Sequence, residues 1–271
     1  MERNLEFTSY DGTSLEGTYA SGDPGCKSVA VMVHGITSSR DEFGLFSGLA
    51  SYLNKQAIPS FRFDYRCHGK SKRPIEELTL AGIVHDIDAA AAIALAQASA
   101  TAVHVVGMSF GGGLCAFWAA TTETRVLSAT LLAPVIDYEE DVLGQHGALV
   151  DGRLSEKAAS SLQRKGHLKM DGVRYGSALV NELRFISGIE GLRRLECPTL
   201  LIHGDADSIV PYSSSERAAR EHERCELVNI PGTDHGFGVP DDEDLSTPET
   251  KAKHQEVFAI IGRFFERASR R

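Results

Sequence analysis

The sequence has no surplus of basic residues. Its 28 lysines and arginines face 37 aspartates and glutamates, a formal net charge of −9. Such a field repels polyanions, which argues against nucleic-acid binding as the main task. Long hydrophobic runs are missing as well. The longest apolar stretch, around residues 89–96, is alanine-rich and far short of the roughly 18 residues a membrane span needs. The first residues, Met1-Glu2-Arg3-Asn4, lack the apolar core of a signal peptide, so a cytoplasmic location without membrane attachment is expected. Cysteine is scarce. Cys26, Cys67, Cys115, Cys197 and Cys225 are widely spaced, odd in number, and include no CxxC pair or zinc-like cluster. Reduced thiols in the cytosol account for them. Histidines outside the motifs below have no metal-ligand spacing, so no metal and no cofactor is expected. With 42% hydrophobic and 24% charged residues over 271 positions, the chain has average globular composition and can bury a large core.

What is present is an alternation of strand and helix signals, which points to an α/β fold. Residues 5–10 and 14–20 read as a hairpin across Asp11-Gly12. The continuous apolar run at 28–33 reads as a strand buried on both faces. Phe43, Phe46, Leu49 and Leu53 give helical spacing over 42–55. Strands are expected at 58–65, 102–106, 126–133, 198–203 and 226–230, with helices over 79–98, 110–121 and 249–268. In the last of these helices, Val257, Ile261, Phe264 and Phe265 form a core-facing stripe. Residues 136–187 interrupt the alternation. They hold a hairpin signal at Asp171-Gly172 and a helix-like stretch from Ser177 to Ile186. The expected organisation is a core of residues 1–135 and 188–271 with an inserted subdomain at 136–187.

Gly107-Met108-Ser109-Phe110-Gly111 follows the strand at 102–106 and precedes a helix. Alone, GxSxG is a weak signal, with about 0.2 chance matches in a chain of this composition. Between a strand and a helix it describes a tight turn that lifts a serine hydroxyl above the sheet edge. A serine nucleophile needs a base, and the base needs an orienting acid. The C-terminal third supplies both. His203-Gly204-Asp205-Ala206-Asp207 places two candidate acids just past a strand, and Gly232-Thr233-Asp234-His235-Gly236-Phe237 places a histidine in the loop after the next. His34-Gly35-Ile36-Thr37 follows the first buried strand. A backbone N–H near Ile36 would pair with that of Phe110 to form an oxyanion hole, with the His34 side chain supporting the loop.

These motifs, together with Arg62-Phe63-Asp64-Tyr65-Arg66-Cys67-His68-Gly69-Lys70-Ser71, resemble the α/β-hydrolase superfamily over nearly the whole chain. Within it the chain is most similar to bacterial cinnamoyl/feruloyl esterase-type hydrolases, through the His34–Phe43 loop and the character of the insertion. The resemblance implies an α/β-hydrolase fold, a mostly parallel sheet flanked by helices with a small inserted lid. It implies Ser109 as nucleophile, His235 as base and Asp207 as orienting acid, with Ile36 and Phe110 as oxyanion donors. Asp207 is preferred to Asp205 because the motif places the acid three residues before the Val210-Pro211 step. The family usually has DxRGHG, and Cys67 stands where its first glycine would be, so that turn must accept a side chain.

The activity this implies is hydrolysis of carboxylic esters through an acyl-enzyme, with aromatic or medium-sized acyl groups favoured. The alternative is the same chemistry on coenzyme A or carrier-protein thioesters, or acyl transfer. Residues 152–175 keep that alternative open. There Arg153, Lys157, Arg164, Lys165, Lys169 and Arg174 face only Glu156 and Asp171. Such a segment is either a solvated helix face or a site for an anionic carrier. The expected partner is a small-molecule ester or thioester; the oligomeric state is left open, a homodimer included. Leu143, Leu149, Leu162, Met170, Val173, Tyr175 and Leu179 are expected to wall an apolar pocket over Ser109.

Overall fold

The structure is a computed structural model that describes residues 1–71 and 73–270. Strands β1 (Glu2–Thr8) and β2 (Ser14–Ala20) pair as an antiparallel hairpin. Then follow β3 (Ser28–Val33), α1 (Leu45–Lys55), β4 (Ser60–Asp64), α2 (Leu80–Ala98), β5 (Ala102–Met108), α3 (Phe110–Thr121) and β6 (Val126–Leu132). The segment after β6 carries a π-helical turn at Glu139–Gly144, the short pair β7 (Leu149–Val150) and β8 (Arg153–Leu154), and α4 (Glu156–Lys165). The hairpin β9 (His167–Met170) and β10 (Val173–Gly176) and then α5 (Ser177–Glu182) complete it. The chain returns through α6 (Gly188–Arg194), β11 (Thr199–Gly204), α7 (Tyr212–Arg220), β12 (Cys225–Ile230) and α8 (Pro248–Ser269).

Eight strands form one sheet in the order β1-β2-β4-β3-β5-β6-β11-β12. All pairs from β4 to β12 are parallel, and only β1–β2 and β2–β4 are antiparallel. Every residue of β3, β5 and β11 is buried, which explains the continuous apolar run at 28–33 and the mostly apolar sequences of the other two. One face is covered by α1 and α8, whose Phe46, Leu49, Val257, Ile261 and Phe265 pack on Met32, Val106 and Ile202. The other carries α2, α3 and α6, with Ile83, Ile87, Leu114 and Leu192 on Val31, Val105 and Leu131. Helix α2 is long and apolar enough to cross a membrane by length and composition. Here it is a core helix: Asp86 at its centre takes a bidentate pair from Arg66, and Leu80, Ile83, Ala90 and Ala94 are fully buried.

Two expectations shift, and one helix was not expected. Strand β1 runs over Glu2–Thr8 rather than 5–10, because Ser9 and Thr13 close a wider turn and leave Tyr10 exposed. Helix α1 begins at Leu45, not 42. Glu42, Phe43 and Gly44 are all left-handed, so Phe43 points outward rather than joining the buried stripe. Helix α7 had no sequence expectation, since its buried residues are Ser214, Ser215 and Ala218 and give no apolar periodicity.

The C-terminal part of the segment 136–187 is tied to the core at two points. The Glu182 carboxylate accepts from the N–H groups of Leu80 and Ala81 at the start of α2 (2.5 and 3.2 Å). Gly176 passes so close to the Glu76 carbonyl that a Cβ would lie 1.9 Å from it.

Candidate active site

Loops from the carboxyl ends of β3, β5, β11 and β12 converge, as ligand-binding loops do in open parallel sheets. Ser109 follows β5 directly, with φ 51° and ψ −120°, outside the regions a serine ordinarily adopts. The turn is held by Ser109 N–H donating to the Leu132 carbonyl (2.8 Å) and by Val135 N–H donating to the Ser109 carbonyl (2.9 Å). Two glycines make it possible. A Cβ at Gly107 would lie 2.6 Å from the Gly111 carbonyl oxygen, and one at Gly111 would lie 2.5 Å from that of His34. Tyr138 adds a clamp, its buried hydroxyl donating to the Phe110 carbonyl.

Asp207 lies in the loop after β11, its side chain without solvent exposure. Its Oδ2 accepts from His235 Nδ1 at 2.7 Å, and its Oδ1 accepts from the N–H groups of Ile209 and Val210 (2.9 and 2.8 Å). Burial pushes this carboxyl up. The hydrogen bonds from His203 and His235, the His235 charge and the Val210 N–H outweigh it and hold the group well below the usual carboxylate range. Asp205 is turned elsewhere and accepts from Asn229 Nδ2 (2.9 Å) and Gly232 N–H (2.7 Å) at the surface. With its Nδ1–H given to Asp207, His235 presents Nε2 as the basic nitrogen. Among the described residues no hydrogen bond joins that nitrogen to Ser109, a contact that commonly tightens on substrate binding.

The loop after β3 supplies the other half. Gly35 N–H donates to Glu42 Oε2 (2.6 Å) and Thr37 N–H donates to His68 Nε2 (3.0 Å). The N–H of Ile36, between them, has no acceptor among the described residues, nor has that of Phe110. These are the two donors the sequence suggested. His34 is fully buried, stacked on Tyr65 with centroids 3.9 Å apart, and Tyr65 donates its hydroxyl to the Gly35 carbonyl (3.0 Å). Burial and the neighbouring His68 push its pKa well below that of ordinary histidine, so it stays neutral under the loop.

Sequence reasoning missed Glu42. Glu42 is buried beneath the loop, 6% exposed, where burial raises its carboxyl pKa against the pull of the Gly35 hydrogen bond and the His235 charge. It read as the first residue of a helix, and no local pattern marks a carboxyl that will cap an amide seven positions back. The Tyr138 clamp and the contact of His203 with Asp207 were missed for the same reason.

Two cavities flank this region. One of about 350 Å³ lies against His235 and Met108, under Phe43 and Ile209. The other, about 600 Å³, lies between Thr37, Cys67 and His68 on the core and Asp171–Arg174 of the β9–β10 turn. Of the apolar residues expected to wall a pocket, only Val173 lines the latter. Leu143, Tyr175 and Leu179 are buried in the segment's own packing on the core. Anchoring α5 and the hairpin consumes the apolar side chains, and the turn that faces the cavity is polar. Among the described residues no group of three or more His, Cys, Asp or Glu side chains is placed to hold a metal ion.

The architecture has close parallels. Est1E from Butyrivibrio proteoclasticus, solved with ferulic acid bound, superposes with a TM-score of 0.74 at 22% identity, covering 95% of this chain and 99% of Est1E. Alpha/beta hydrolase domain-containing protein 10 from mouse superposes with a TM-score of 0.76 at 17% identity, over 98% of this chain and 99% of its own. At these identities the likeness is one of fold. The uncharacterized protein YfhR of Escherichia coli O157:H7 is 26% identical over 239 residues, spanning 86% of this chain and 72% of YfhR. The family model for the alpha/beta hydrolase fold matches residues 30–188, from β3 through the start of α6. The chain belongs to the alpha/beta hydrolase fold family.

Proposed function

We propose that the chain is a serine hydrolase of carboxylic esters. Ser109 Oγ attacks the acyl carbon while His235 Nε2 takes its proton, and the tetrahedral oxyanion is held by the N–H groups of Ile36 and Phe110. His235 then returns the proton to the departing alcohol. A water molecule, deprotonated by the same nitrogen, hydrolyses the acyl-enzyme. The observation that carries this reading is the 2.7 Å contact between the unexposed Asp207 carboxylate and His235, together with a serine held at positive φ.

Residues 136–187 act in this reading as a lid, with the acyl group in the larger cavity beneath the β9–β10 turn. Its mixed lining suits an aromatic or medium-sized acyl group with polar substituents better than a plain alkyl chain. Est1E, with ferulic acid in its structure, supports that class by analogy.

The cavity against His235 favours ester over carrier thioester. The leaving group departs beside the base that protonates it. Charged residues there are Glu42, Asp234, Asp241, Asp242 and Glu243, with no lysine or arginine among the described residues. A phosphorylated carrier would enter against that charge. Of the basic lid residues, Arg174 is already paired with Glu76.

The test is covalent labelling by a fluorophosphonate together with paired kinetics. Wild-type protein should label at Ser109 and hydrolyse cinnamoyl esters faster than the matching coenzyme A thioester. Ser109→Ala should lose labelling and drop turnover by roughly 10⁴- to 10⁶-fold. A folded Ser109→Ala protein with near-normal turnover would end the assignment, and a faster thioester would replace the ester reading.

A further inference from the structure

Asp207 does not serve His235 alone. The same oxygen, Oδ2, that accepts from His235 Nδ1 also meets His203 Nε2 at 3.0 Å. His203 is the fifth residue of β11, and neither its side chain nor that of Asp207 has any solvent exposure. The hydrogen-bond partners settle which nitrogen carries its proton. Nε2 faces two acceptors, Asp207 Oδ2 and the Val210 carbonyl oxygen, each at 3.0 Å. A bare nitrogen there would face oxygen lone pairs on both sides, so Nε2 is the donor. Nδ1 lies 2.7 Å from Ser215 Oγ on α7, a hydroxyl free to rotate and donate to it. The result is a fixed row running from Ser215 through His203 and Asp207 to His235, with every proton assigned.

We propose that His203 is a positioning residue of the triad: its Nε2–H holds the Asp207 carboxylate in place and governs how tightly that carboxylate retains the proton on His235 Nδ1. The inference rests on the serine-hydrolase reading above. A carboxylate oxygen that accepts one more hydrogen bond has its charge better stabilised and is a weaker partner for an imidazolium. The row also fixes orientation. With Oδ1 held by the N–H groups of Ile209 and Val210, and Oδ2 by His203, the carboxylate cannot rotate away when His235 moves toward substrate. The other ionisable groups around the row are few. Glu42 lies close enough to His235 for its charge to be felt from the oxyanion loop. The Asp234 carboxylate is turned to Ser208 and to the His235 backbone N–H. The Tyr212 ring meets His203 nearly edge-on, centroids 5.6 Å apart.

The experiment compares wild type with His203→Phe, which keeps an aromatic ring but no N–H, and His203→Gln, whose amide N–H can reach the place of Nε2. The dependence of kcat/KM on pH between 5 and 9 is measured on a hydrolysed ester, alongside Tm and fluorophosphonate labelling. Removing the donor strengthens the grip of Asp207 on the His235 proton. The ascending limb in His203→Phe should therefore move to higher pH by about one unit. Turnover should fall roughly tenfold or more, as expected on losing a hydrogen bond to a charged group. His203→Gln should bring the limb back toward its wild-type position. A role in packing alone would lower Tm and activity without moving the limb. An unmoved limb in folded His203→Phe overturns the proposal, and so does a limb in His203→Gln as displaced as in the phenylalanine variant. If His203→Phe does not fold, the nitrogen-15 shifts of His203 in wild-type protein decide. Protonated Nε2 with bare Nδ1 is expected, and the opposite tautomer refutes it. Wild-type protein that neither labels nor hydrolyses any ester would instead fail the functional reading itself.

Discussion

The two loops that carry the proposed oxyanion donors are built on opposite plans. The elbow from Gly107 to Gly113 reaches its strained backbone by removing side chains: glycine stands wherever a Cβ would strike backbone. The loop from His34 to Gly44 keeps its side chains. Thr37, Glu42 and Phe43 all have positive φ, at 63°, 44° and 50°. For non-glycine residues this costs on the order of 1–2 kcal/mol each, persisting only when the surroundings over-determine it. Here the surroundings are polar: the Glu42 carboxyl on Gly35 N–H, His68 on Thr37 N–H, and Tyr65 on the Gly35 carbonyl. One half is held by steric exclusion, which does not titrate. The other is held by hydrogen bonds through ionisable groups, which does.

The elbow should break hardest. Gly111→Ala puts a Cβ within 2.6 Å of the Val33 carbonyl oxygen and 2.5 Å of that of His34, and neither strand end can retreat. The expected outcome is loss of most soluble folded protein, or more than about a hundredfold loss of kcat/KM in what remains, since small misplacement of reacting groups is that costly. Near-normal folding and activity would mean the turn is less crowded than its geometry says.

Glu42 should break the loop half by degrees. Glu42→Ala removes the acceptor for Gly35 N–H and leaves a cavity, and should cost about tenfold to a hundredfold in kcat with KM little changed. Losing one oxyanion donor costs about 10²–10³, and here the donor is misplaced rather than removed. Glu42→Gln keeps an acceptor oxygen and should lose much less. The two variants also separate in pH. The Glu42 carboxyl is raised above its ordinary value, chiefly by burial. Its stabilising contribution is thus present below the unfolded pKa and lost as pH rises through the folded one. The Tm of Glu42→Gln relative to wild type should therefore climb between pH 4 and 7. A flat difference would show that the carboxyl is no more costly to ionise here than in water.

Acid should loosen the loop half before the elbow. His34 and His68 both have pKa values lowered by burial, whereas residues 107–113 contain no histidine. His104 and His254 are lowered in the same way, His104 to about 3. A depressed histidine contributes stability above its unfolded pKa that is lost as pH falls, about 1.4 kcal/mol per pH unit per group. Tm should drop between pH 6.5 and 5.5, ahead of carboxylate titration. Hydrogen-exchange protection at Gly35 and Thr37 should fall before that at Gly111 and Gly112. Equal loss in both regions would erase the distinction.

The same contrast explains what was legible in the sequence. Strands β3 and β5 and helix α3 were readable nearly to the residue, because burial on both faces or a glycine-marked turn leaves a local trace. Ser109, Asp207, His235 and the Ile36 loop were readable as candidates because their motifs follow strand ends in a fixed order. Glu42, Tyr138 and His203 were not. Each acts through a partner, Gly35, Phe110 or Asp207, whose distance is set by tertiary packing. The apolar residues of 136–187 were seen, but their direction was misjudged. Periodicity reports that a side chain is buried, and it does not report against what.

Cys67 offers the smallest and most pointed test. It stands where the family pattern has glycine, and its φ is 65°, a left-handed conformation that glycine adopts freely. The next residue, His68, carries the acceptor for Thr37 N–H, so strain at Cys67 bears on the loop that presents Ile36. The thiol itself has no evident chemistry, since burial pushes its pKa up to about 11. Relieving a left-handed side chain is worth roughly 1–2 kcal/mol, and the added freedom of glycine in the unfolded chain takes back about 0.5–1. Cys67→Gly should therefore raise Tm by about 1–3 °C, by the usual conversion for a chain of this size. Activity should hold or rise slightly. If Tm falls instead, the contact of the Cys67 side chain with the core outweighs its backbone preference. The loop half would then be held by packing as well as by hydrogen bonds, and its difference from the elbow would be one of degree.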